Sequence, residues 1–91
     1  MKWTQEEAIN FECACECITD LQGITLHKIR EEESTASPNT ERLANLEAEF
    51  SKLDQERKRL HVHNHAEIAR IRSEYGAIIR AELVQQELVA A

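Results

Sequence analysis

Residues 38–91 read PNTERLANLEAEFSKLDQERKRLHVHNHAEIARIRSEYGAIIRAELVQQELVAA. After Pro38 the run has no further proline and a single glycine, Gly76. Leu43, Leu46, Phe50, Leu53, Leu60, Ile68, Ile71, Tyr75 and Ile78 fall along it at helical spacing. The pattern predicts one helix over about 39–89, far beyond ordinary globular length. At roughly 1.5 Å per residue it would span about 75 Å.

The segment before it predicts a shorter helix, over about 4–33. Thr4 followed by Glu7 is a capping box, in which each side chain satisfies a backbone donor of the other residue. Ile9, Phe11, Ala14, Cys17, Ile18, Leu21 and Ile24 form a broad apolar stripe behind it. Gly23 interrupts the stripe; it can end the helix as a left-handed cap, but the flanking pattern favours continuity. Residues 34–38 form the clear loop, with Ser, Thr and Pro clustered and nothing apolar to bury. Ser37 is positioned to cap the next helix with Pro38 at its first turn.

A short loop between helices predicts an antiparallel hairpin. On that basis Glu12 and Glu16 lie near Arg57, Lys58 and Arg59. The second helix outruns the first, so residues 69–91 extend beyond it and leave an apolar stripe uncovered. Such a stripe marks an association site. The expected fold is therefore all-α: an antiparallel helical hairpin with a long second helix, one domain over 1–91. It is expected to dimerise into a four-helix bundle or an extended coiled coil through Ile68, Ile71, Tyr75, Ile78, Ile79, Leu83 and Leu88. The heptad register stutters around Asn64; a seam asparagine there can fix register. Small residues Gly76 and Ala77 permit close helix approach.

Composition agrees with exposed helices. Of the 91 residues, 31% are charged, with 2 glycines and 1 proline. The net charge of −6 makes the chain a poor general binder of nucleic acid. The N-terminus lacks the apolar region of a signal peptide, and no stretch is apolar enough to span a bilayer. A cytoplasmic location and reduced thiols are the expectation.

Two clusters could carry chemistry: Cys13, Cys15 and Cys17, and His61, His63 and His65. Cys13 with Cys17, and His61 with His65, each share a helix face. The hairpin would bring the pairs within about a turn, making a zinc site of Cys13, Cys17, His61 and His65 an alternative. Against it, free cysteine usually packs as a small hydrophobe. The histidines also read as a pH-sensitive surface. Arg57, Lys58 and Arg59 form a basic segment that could meet phosphate, or be a solvated face paired with Asp54 and Glu56. No phosphate loop, nucleophile elbow or H-E-x-x-H pattern is present, so no enzyme is expected. The favoured function is a small interaction module, an adaptor, inhibitor or accessory regulator, that binds itself and a further protein, without a cofactor or membrane. A zinc-binding or redox-responsive regulator, and a nucleic-acid-associated one acting through Arg57–Arg59, are the alternatives.

Overall fold

The chain begins its first helix where the Thr4–Glu7 pair predicts. In a computed structural model that describes residues 2–90, α1 runs Gln5–Glu33. The Glu7 backbone amide donates to Thr4 Oγ1 at 3.1 Å, and the Thr4 amide donates to Glu7 Oε1 at 2.9 Å. The helix passes through Gly23 without a break. It closes at Ser34, whose amide reaches the carbonyls of Arg30 and Glu31. Met1 and Ala91, the ends of the expected domain, lie outside the described residues.

The second element, α2, runs Thr40–Arg59, capped by Asn39 Oδ1, which accepts from the Arg42 amide at 3.0 Å. The cap is thus Asn39 rather than Ser37. Arg42 Nε also meets Glu32 Oε1 at 3.1 Å and holds the loop closed.

The expected single helix over 39–89 does not form. α2 ends at Arg59, Leu60 turns to extended backbone, and α3 begins anew at His65 and runs to Ala90. Three local causes converge on residues 57–67. Arg57, Lys58 and Arg59 occupy the last turn of α2, where the helix dipole favours cations. His61, Val62, His63 and Asn64 are all weak helix formers. Asn64 then acts as an N-cap: its carbonyl accepts from Ile68 at 3.0 Å and its side chain from the Glu67 amide at 3.4 Å. The stutter in the apolar register is the place where the chain turns.

The turn folds α3 back onto α1 instead of carrying it outward. His65 meets Glu7, Arg72 meets Asn10 and Lys28 meets Glu82, so α3 runs in the same direction as α1. Both α2 and α3 pack along α1. The longest dimension is 54 Å, well short of the expected rod. Ala14, Ile18 and Leu21 of α1, Leu53 of α2, Leu60 of the turn, and Ile68 and Ile71 of α3 form one buried cluster. Phe11, Cys15, Cys17, Ile24, Tyr75 and Ile79 pack around it. Among the described residues, Thr25 is the buried polar one, and its hydroxyl donates to the Leu21 carbonyl at 2.9 Å. Each fully buried isoleucine contributes roughly 2–3 kcal/mol of transfer free energy, so Ile18 and Ile71 anchor α3 to α1.

Candidate interaction surface

The core consumes part of the stripe expected to bind a partner. Ile68 and Ile71 are buried inside the chain, and Tyr75 and Ile79 are half-buried against the same cluster. Those four positions therefore serve the monomer's own packing. Further along α3 the pattern changes. Ile78 is 48% exposed, Leu83 53%, Val84 55% and Leu88 70%. Ala77 and Ala81 are exposed beside them.

These side chains divide between two faces. Leu83 and Ile79 flank a groove against Gly23, Ile24 and His27 of α1. Ala77, Ala81, Val84 and Leu88 lie within about 60° of arc on the outer side of α3, at 3.6 residues per turn. Ile78 stands at the edge of that outer stripe. The α1-facing side is set by Lys28 Nζ, which meets Glu82 Oε1 at 2.8 Å.

Nearer the turn, the seam between α2 and α3 is polar. The Tyr75 hydroxyl lies 2.7 Å from both Glu56 carboxylate oxygens and can donate to either. Arg70 pairs with Glu67, with Glu56 at 3.2 Å and with Glu74 at 2.9 Å, and stacks over the Tyr75 ring at 5.4 Å. Its hydrogen bonds donated to Glu67 and Glu74 hold the guanidinium firmly charged. Burial, then the Glu56 bond, push the Tyr75 phenol above its ordinary range. Arg70 and Tyr75 thus join α3 to α2 through Glu56, which apolar periodicity alone did not reveal.

The cysteines and histidines go to other tasks. Cys13, Cys15 and Cys17 are all partly buried free thiols. Cys15 and Cys17 pack against the core, and burial raises the Cys17 thiol above its ordinary range, which favours the protonated form. His65 Nε2 lies 2.6 Å from Glu7 Oε2, and His63 Nε2 lies 2.8 Å from the Lys2 carbonyl. The histidine turn therefore clamps the start of α1. His61 is exposed. Among the described residues, no group of three or more His, Cys, Asp or Glu side chains is placed to hold a metal ion. The four ligands of the zinc alternative, Cys13, Cys17, His61 and His65, are not gathered.

The basic segment follows the reading of a solvated face: Arg57, Lys58 and Arg59 are all exposed. Lys58 Nζ pairs with Asp54 Oδ2 at 2.8 Å, and Arg59 Nε donates to the Gln55 carbonyl. Among the described residues, no ion pair joins Glu12 or Glu16 to this segment; Lys58 and Arg59 find their partners within α2. No helix among the described residues is long and apolar enough to cross a membrane.

No family model matches this chain, and no curated protein or solved structure shows significant similarity to it.

Proposed function

We propose that this chain is a protein–protein interaction module that acts as a homodimer through the second half of α3. The observation that carries the reading is the exposure of Val84 and Leu88 at 55% and 70% on a helix that buries Ile68 and Ile71 in its first half. Helices in small domains bury one stripe; a second, outward stripe of aliphatic side chains is a surface for association. The short stripe suits a small interface, and small interfaces give weak, reversible complexes. That fits an adaptor or accessory regulator whose partner changes, with the second copy as the first partner.

The test is light scattering on the eluting protein, comparing the unmodified chain with Val84→Asp. Val84 is exposed, so the substitution leaves the three-helix core intact. A charge on the stripe should weaken the dimer at least about tenfold, the equivalent of about 1.4 kcal/mol. Unchanged association in a folded Val84→Asp protein would remove the assignment to α3.

A further inference from the structure

The outer stripe of α3 has a self-complementary charge pattern, and it points to one geometry. Resting on the dimer proposed above, we infer that two copies pair their α3 helices antiparallel, in the register that sets Arg80 of each copy against Glu87 of the other.

Ala77, Ala81, Val84 and Leu88 follow steps of four, three and four, the spacing of an a/d seam. All four are exposed in the single chain. If Ala81 and Leu88 take a positions, Ala77 and Val84 take d positions. Arg80 and Glu87 then both fall at g, and Ile78 and Gln85 both fall at e. In an antiparallel pair an a residue faces a d residue of the other helix. Ala81 meets Val84 of the second copy, and Ala77 meets Leu88 of the second copy. Every contact joins a small side chain to a larger one, so the stripe fills itself without two bulky residues colliding.

The flanks decide the direction. Antiparallel pairing brings g beside g, so Arg80 lies against Glu87 of the second copy, twice by symmetry. On the other flank, Ile78 lies against Gln85 of the second copy, where no charges conflict. Parallel pairing brings g beside e and places Arg80 against Gln85, which gains no ion pair. Arg80 and Glu87 are exposed, and no ion pair within the chain engages either among the described residues. Glu82, the third charge in this half of the helix, is occupied by Lys28 on the α1 side. The two charges left over are of opposite sign and stand one heptad apart, as twofold antiparallel pairing requires.

The experiment is a charge-reversal cycle on the full chain, with the dimer dissociation constant measured by sedimentation equilibrium at low salt. Arg80→Glu sets like charges together at both ends, and so does Glu87→Arg. Each should weaken the dimer about tenfold, and the double variant should return it to within about threefold of the unmodified chain. Raising the salt should shrink these differences. Far-ultraviolet circular dichroism confirms that each variant is folded, since both positions are exposed. If the single variants leave the dimer unchanged while Val84→Asp abolishes it, the antiparallel register is wrong and the α3 interface stands. If the two reversals weaken the dimer additively, with no rescue in the double variant, the proposed pair does not exist. A chain that stays monomeric throughout overturns both the register and the dimer on which it rests.

Discussion

At the scale of single residues, Glu7 does the most varied work. It completes the capping box of α1 and accepts from His65 across the turn. The Thr4 backbone bond first, and the His65 bond second, hold its carboxyl below the ordinary glutamate range. A carboxylate with a depressed folded-state pKa stabilises the fold above its unfolded value. That contribution disappears as pH falls through the lower folded value. Thermal denaturation followed from pH 7 down to pH 3 should therefore show a loss of stability beginning near the ordinary glutamate value of 4.5 and continuing below it. Glu7→Gln should flatten that acid limb. An identical acid limb in the variant would mean that Glu7 is not linked to folding. Much at this scale was legible beforehand: the Thr4–Glu7 box and the apolar positions Ile18, Leu21 and Leu53 are where the pattern puts them. The Tyr75–Glu56–Arg70 cluster was not, because two of its members lie on different helices whose approach depends on the turn.

At the scale of elements, α1 tolerates Gly23 because the residue is exposed and nothing constrains it. A Cβ built at Gly23 meets no atom within 4 Å. Gly23→Ala should then stabilise the chain by about 0.5–1 kcal/mol, read as a raised thermal midpoint. A lowered midpoint would show that the glycine relieves a strain in α1. The break between α2 and α3 is the feature that periodicity concealed. Leu60 and Ile68 both face α1, so the apolar spacing runs on across the turn as a stutter. A chain reversal that returns to the same core leaves almost the same imprint as a long helix. The turn carries neither glycine nor proline, the usual punctuation. The signal that could have found it is Asn64 followed by Glu67, a repeat of the Thr4–Glu7 spacing, preceded by the basic last turn at 57–59. Asn64→Ala should cost about 1 kcal/mol by removing the cap of α3. Chemical denaturation of the variant measures this, and an unchanged midpoint would mean that the cap does not hold the break.

At the scale of the whole molecule, the break changes what the chain needs from a partner. A hairpin with a long second helix would leave its last third wholly uncovered. Three helices instead bury Ile68 and Ile71 internally, and the side chains of Arg70 and Tyr75 reach from α3 to Glu56 of α2. The remaining outward surface is narrower: Ala77, Ala81, Val84 and Leu88 with Ile78 at the edge. The all-α class and the direction of the apolar faces were readable from spacing alone. The division of α3 into an inner and an outer half was not, because it depends on where the turn sends the helix. Sedimentation equilibrium on the unmodified full chain tests the central claim most directly, over concentrations rising to about 1 mM, where even weak complexes populate. The account predicts a reversible rise from the chain mass toward twice that mass. A mass that stays at one chain across the whole range would contradict it.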